Sequence, residues 1–108
     1  MVKDKIKASH ILIMHNESRD SRSDITKDKA KKNIDLIYKS VVDGEITFGD
    51  AAVKHSDCSS AESGGDLGEF GKGMMVKSFE DVAFSLKIDE VSKPFESEFG
   101  YHIVKRQG

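Results

Sequence analysis

The stretch Ile6-Lys7-Ala8-Ser9-His10-Ile11-Leu12-Ile13-Met14 decides the fold. Its period is that of a strand, with Ala8, His10, Leu12 and Met14 on one face and Ser9, Ile11 and Ile13 on the other. Apolar residues on both faces place it centrally in a sheet that is covered on two sides. Beyond it, residues 16–24 are rich in Ser, Arg and Asp with no apolar anchor, and read as an exposed loop. Thr26 then offers an N-cap. Ala30, Ile34, Ile37 and Val41 recur at helical spacing until Gly44, a residue suited to ending a helix. A second short helix is expected from Phe48 to about His55, burying Phe48, Ala51 and Ala52.

Further along, residues 56–73 turn irregular and glycine-rich, with Leu67 and Phe70 the only large apolar side chains before Gly71. Ser78, with Asp81 three residues on, is a variant of the capping box. Phe79, Val82, Ala83 and Leu86 form the apolar side of the helix it would start. Residues 91–96 and 100–106 read as strands joined by a tight turn near Glu98-Phe99-Gly100. The order β-α-α-loop-α-β-β predicts a small α+β domain, with helices packed around a mostly antiparallel sheet.

A length of 108 residues suits one domain, with an ordered core expected over about residues 5–107. Hydrophobic residues at 37% and charged residues at 33% are the mix of a soluble globular protein. A net charge of −2 gives no global field that argues for nucleic acid or anionic membrane, and neither is expected as a partner. No apolar run approaches the roughly 18 residues of a membrane span, and the N-terminal residues have no signal-peptide character. The single cysteine, Cys58, allows no internal disulfide and suits a reducing compartment: the cytosol, the nucleus or both. Nothing demands more than a monomer.

Chemistry is confined to few residues. His10 lies in the first strand and His102 in the last, so both imidazoles project from one face if the strands are neighbours. A histidine in a strand often serves the core alone. Cys58, in Ser56-Asp57-Cys58-Ser59-Ser60-Ala61, sits in unusually polar company for a residue that prefers burial. A cysteine hydrolase is disfavoured, because Cys58 follows a helix instead of starting one and lacks a protease signature. Zinc is disfavoured as well, since one cysteine and four scattered histidines have no paired ligand spacing. The run Gly64-Gly65-Asp66-Leu67-Gly68 is neither a P-loop nor a dinucleotide fingerprint, and reads as a tight turn near a site. No metal or other cofactor is implied.

The motifs Phe48-Gly49-Asp50-Ala51-Ala52, Ser56, Ser60 and Gly64-Gly65-Asp66-Leu67-Gly68, in that order, resemble the signature of the parvulin prolyl isomerases. The resemblance spans nearly the whole chain, from Lys7-Ala8-Ser9-His10-Ile11-Leu12 to Gly100-Tyr101-His102-Ile103-Val104. Met75, Phe79-Glu80-Asp81 and Ala83-Phe84 also have parvulin equivalents. The cysteine-containing segment is similar to the eukaryotic branch that acts on phosphorylated Ser/Thr-Pro sites, here with no WW domain expected ahead of it. The resemblance implies the parvulin (FKBP-like) fold, a four-stranded, mostly antiparallel sheet surrounded by about four short helices. A fourth strand is therefore expected in Leu67-Gly68-Glu69-Phe70.

It also implies peptidyl-prolyl cis/trans isomerisation of proline-containing proteins or peptides, phosphorylated ones included. Leu67, Met75 and Phe79 would grip the proline ring, although each also suits a plain core. His10, His102 and Cys58 would set the polarity around the rotating bond, with Ser60 and Ser97 completing the network, Ser97 where the family often has Thr. Phosphate recognition in this branch uses a Lys and two adjacent Arg. The matching positions here hold Met14, Arg19 and Asp20, with Arg22 offering a second positive charge, and Phe99 replaces a common serine. A phosphate or acidic preference is thus expected to be weakened, not abolished. The rival readings are a non-catalytic proline-motif binding module, which would tolerate loss of His10 or Cys58, and a small chaperone, which would need a broader exposed apolar surface.

Overall fold

A computed structural model describes residues 5–18 and 25–108. Strand β1 (Lys5–Ile13) is followed by helices α1 (Lys27–Val42) and α2 (Phe48–His55), a 3-10 turn (Ser59–Ser63) and strand β2 (Asp66–Gly71). Helix α3 (Lys77–Ser85) and the hairpin of β3 (Phe95–Ser97) and β4 (Gly100–Arg106) complete the chain. The sheet has the order β2-β1-β4-β3, and every pairing in it is antiparallel. The fold is the α+β arrangement expected, with three α-helices and the 3-10 turn around four strands among the described residues.

β1 is central because both of its faces have apolar surface to hide. Ile11 and Ile13 join Ile103 of β4, Ala30, Ile34 and Ile37 of α1, and Phe48, Ala51 and Ala52 of α2 in one core. Ile6 and Ala8 join Val104, Phe70, Phe79, Ala83 and Leu86 in a second core under α3. Fully burying a side chain such as Ile11 or Ile34 stabilises the fold by roughly 1.5–3 kcal/mol. Thr26 caps α1, its hydroxyl accepting from the Lys29 N–H at 3.2 Å, and Gly44 turns the chain away at φ +78°.

Three details depart from the sequence expectation. The extra strand runs over Asp66–Gly71, slightly beyond the four residues expected of it. The strand expected over residues 91–96 is broken: Val91 makes a single bridge to Lys105, and continuous pairing begins only at Phe95. Pro94 lies between them and has no N–H to give the ladder. Ser78 does not cap α3, which starts one residue earlier behind an extended Val76 with no side-chain cap.

Candidate functional site

Register brings the two histidines together. Along β1 and β4, His10 pairs with Val104 and Leu12 with His102, so the imidazoles are diagonal neighbours on one face. Their Nδ1 atoms lie 3.4 Å apart, and the rings stack at 5.5 Å between centroids. Phe95 stacks on the other side of His102 at 5.2 Å. Phe79 of α3 meets both imidazoles edge-on, at 5.5 and 5.6 Å. Both histidines are buried. Phe95 is a site residue that the sequence reading missed. Its signal was the alternation that puts it on the same face as Ser97.

Hydrogen-bond contacts link the two imidazoles to the turn between β3 and β4. The Phe99 N–H donates to Ser97 Oγ at 3.2 Å, and Ser97 Oγ lies 2.6 Å from His102 Nε2. Burial, with a smaller contribution from His10, holds the His102 pKa down at about 3, so this imidazole is neutral and carries one proton. In the tautomer in which Ser97 gives its own proton to Nε2, the His102 proton sits on Nδ1. That proton is directed at His10 Nδ1. His10 Nε2, on the other side of that ring, is buried with no formed hydrogen bond.

Cys58 completes the group because its segment is stitched to the end of β1. Ser56 Oγ accepts from the Leu12 N–H at 3.0 Å, the Asp57 N–H donates to the Leu12 carbonyl at 2.7 Å, and Asp57 Oδ2 accepts from the Met14 N–H at 2.8 Å. Asp57 was not singled out in the sequence; its place beside Cys58 was the available hint. The His10 side chain is the strongest influence on the Cys58 thiol, and its pull outweighs burial, which acts upward. Ser60 lowers it further through its hydroxyl and backbone, and the pKa falls to about 6. The Ser60 hydroxyl itself is buried without a fully formed hydrogen bond. Cys58 is therefore largely a thiolate at neutral pH.

The glycine run supports this geometry. The Gly65 carbonyl accepts from the His10 N–H at 2.9 Å. At φ +82° a Cβ on Gly65 would collide with the His10 carbonyl oxygen, so only glycine brings the backbone this close.

Next to the polar group opens a cleft of about 640 Å³ lined mainly by apolar side chains, among them Leu67, Met75, Val76 and Phe79. Leu12, Met14, Met74 and Phe99 also line it, with His10, Cys58 and His102 in its wall. The structure thus gathers His10, Cys58, Ser60, Ser97, His102, Leu67, Met75 and Phe79. Arg19, Asp20 and Arg22 lie outside the described residues. A second cavity, about 650 Å³ between α1 and α2, contains none of the expected site residues. Among the described residues no cluster of His, Cys, Asp or Glu could hold a metal ion, and no helix is long and apolar enough to cross a membrane.

Comparison with known proteins gives the same picture. Residues 10–108 match the rotamase family described as the PPIC-type PPIase domain. The chain is 40% identical to a peptidyl-prolyl cis-trans isomerase Pin1 of Digitalis lanata, with 100% of each covered. It is 45% identical to the pin1 isomerase of Schizosaccharomyces pombe over 94% of this chain and 62% of that one. The peptidyl-prolyl isomerase ESS1 of Candida albicans superposes with a TM-score of 0.92 at 37% identity, covering 97% of this chain and 63% of that one. The parvulin of Nitrosopumilus maritimus does so with a TM-score of 0.74 at 42% identity, with 100% of each chain covered.

Proposed function

Because the chain belongs to the PPIC-type peptidyl-prolyl cis-trans isomerase family, the parvulins, and is an isomerase of X-Pro bonds, we propose how its site turns the bond and which prolines it takes. The amide barrier, roughly 18–20 kcal/mol, comes from resonance that puts partial negative charge on the carbonyl oxygen of the residue before proline. Twisting the bond abolishes that charge separation. Catalysis therefore needs only an environment that favours the twisted state over the planar one.

Leu67, Met75 and Phe79 hold the proline ring in the apolar cleft. Cys58, anionic beside the rotating carbonyl, raises the energy of the planar form, in which the oxygen is most negative. The Ser97–His102–His10 chain holds a proton toward the sulfur and keeps it charged, with Ser60 assisting. No bond to sulfur forms. The observation that carries this reading is the unbroken line of contacts from the Phe99 N–H through Ser97 and His102 to His10, the group that most lowers the Cys58 pKa.

On substrate choice, we propose that a phosphorylated or acidic residue before proline is accepted but only weakly favoured. Met14 and Asp20 stand where related enzymes have cations, which leaves Arg19 and Arg22 to supply positive charge. A protease-free isomerisation assay on matched phosphoSer-Pro, Glu-Pro and Ala-Pro peptides tests this. The expected rates lie within about tenfold of one another, a discrimination of ~1.4 kcal/mol or less. A phosphopeptide advantage of about a thousandfold would show that the two arginines suffice for a full phosphate site.

A further inference from the structure

We propose that Met14 and Phe99 form an apolar specificity subsite that selects a large apolar side chain immediately before the proline. The inference rests on the placement of the rotating carbonyl at Cys58, and it names the substrate class that the site prefers.

The cleft is lined by two groups of residues. Leu67, Met75, Val76 and Phe79 make one, and these belong to or pack against the core under α3. The other is made where β1 runs out. Met14 follows Leu12 on the cleft side, and the turn between β3 and β4 folds directly onto it. A Cβ on Gly100 would lie 3.1 Å from Met14 Cα, which brings the neighbouring Phe99 into the same group.

Both side chains hang from fixed backbone. The Met14 N–H is held by Asp57 Oδ2 at 2.8 Å, and the Phe99 N–H by Ser97 Oγ at 3.2 Å. The residues that tether them are a neighbour of Cys58 and a member of the histidine relay, so subsite and reaction centre share one frame. Both Met14 and Phe99 are half-buried.

Direction follows from the carbonyl. The bond that rotates joins proline to the residue that owns the carbonyl, and Cys58 stands beside that oxygen. Asp57 is next to Cys58 in the chain and bonded to Met14, so the side chain of the preceding residue falls against Met14 and Phe99. The proline ring lies against the other group. Among the described residues lining the cleft there is no lysine or arginine, and Asp57 contributes a carboxylate. A thioether and a benzyl ring offer dispersion and burial to a leucine or phenylalanine, and nothing to a phosphate.

The test is a series of peptides differing only before proline: Leu, Phe, Ala, Glu and phosphoSer. For the unaltered protein kcat/KM for Leu-Pro and Phe-Pro should exceed that for Ala-Pro by roughly tenfold, with Glu-Pro and phosphoSer-Pro between them. Met14→Lys and Phe99→Ser are each read as the ratio of Leu-Pro to Ala-Pro, so that any general loss of activity or folding cancels. The ratio should fall toward one in both, and Met14→Lys should raise phosphoSer-Pro relative to Leu-Pro. Equal Leu-Pro and Ala-Pro rates in the unaltered protein, a phosphoSer-Pro rate above both, or a ratio that survives both substitutions overturns the subsite alone. Background rates with every peptide overturn it together with the placement of the reaction centre.

Discussion

On the face of the sheet covered by α1 and α2, Ile11, Ile13 and Ile103 meet Ala30, Ile34 and Phe48 in a closed core that is mostly aliphatic. On the opposite face the next residues of the same two strands, His10, Leu12 and His102, meet Phe79 and Phe95 beside an open cleft. Strand alternation makes this division possible: each step along β1 or β4 changes face, so one ladder serves packing and chemistry without either intruding on the other. The first face gains stability from burial. The second accepts buried imidazoles and an anionic sulfur, which a core selected for stability alone would exclude.

If that division holds, truncation on the closed face should damage the fold and spare the reaction. Ile34 is completely buried in α1. Ile34→Ala should destabilise by about 2–5 kcal/mol in urea unfolding, with kcat/KM per folded molecule unchanged. Phe79→Ala should cost a comparable amount of stability and also remove most of the activity, since Phe79 touches both histidines and lines the cleft. A large loss of activity in folded Ile34→Ala protein would break the comparison.

The two faces also differ in their response to acid. His102 is held at a pKa of about 3 by burial, below its ordinary 6.5. Between those values the unfolded chain binds a proton that the folded chain refuses, so stability falls as pH drops from about 6.5 toward 3. The loss approaches roughly 4 kcal/mol at the lower end. His102→Gln, which has no titrating group, should show a shallower decline over that window in guanidine unfolding at stepped pH. An unchanged slope would mean that acid acts elsewhere.

Legibility from sequence follows the same division. The aliphatic face was readable because Ala30, Ile34 and Ile37, or Ile11 and Ile13, repeat with a period that names the element and its buried side. β2 was visible only through family resemblance. It is an edge strand whose large apolar residues are Leu67 and Phe70, and its pairing of Ile6 with Phe70 is set by distant chain. Ser78 misled because a capping pattern can sit within the first turn of a helix whose start is fixed by other contacts. At the site, alternation alone could put His10 and His102 on one face. The pairing of Leu12 with His102, which makes them neighbours, is a long-range register that no local pattern encodes. Asp57 was passed over for the same reason, since its partners Leu12 and Met14 lie far away in sequence, whereas Phe95 faces His102 across the β3–β4 hairpin and local alternation could have found it.

The smallest effect expected is the most specific to the chemical face. The Cys58 pKa is lowered from 9.0 to about 6, chiefly by His10. A depressed thiol pKa contributes stability that is complete above the ordinary thiol value and is lost as pH falls through about 6. Because the side chain is partly exposed, solvent screening keeps that contribution small, and the clearer readout is catalytic. If the anionic sulfur opposes the planar amide, kcat/KM should rise from pH 5 to pH 7.5 with a midpoint near 6, while Ile34→Ala follows the same curve at reduced stability. Cys58→Ala should be slower at pH 7.5 and lose that midpoint. Cys58→Ser, whose hydroxyl stays neutral, should behave like the alanine variant although it keeps a hydrogen-bonding group. A serine variant with full activity and the original midpoint would show that hydrogen bonding, not charge on sulfur, drives the rotation, and the chemical face would then need its polarity without its anion.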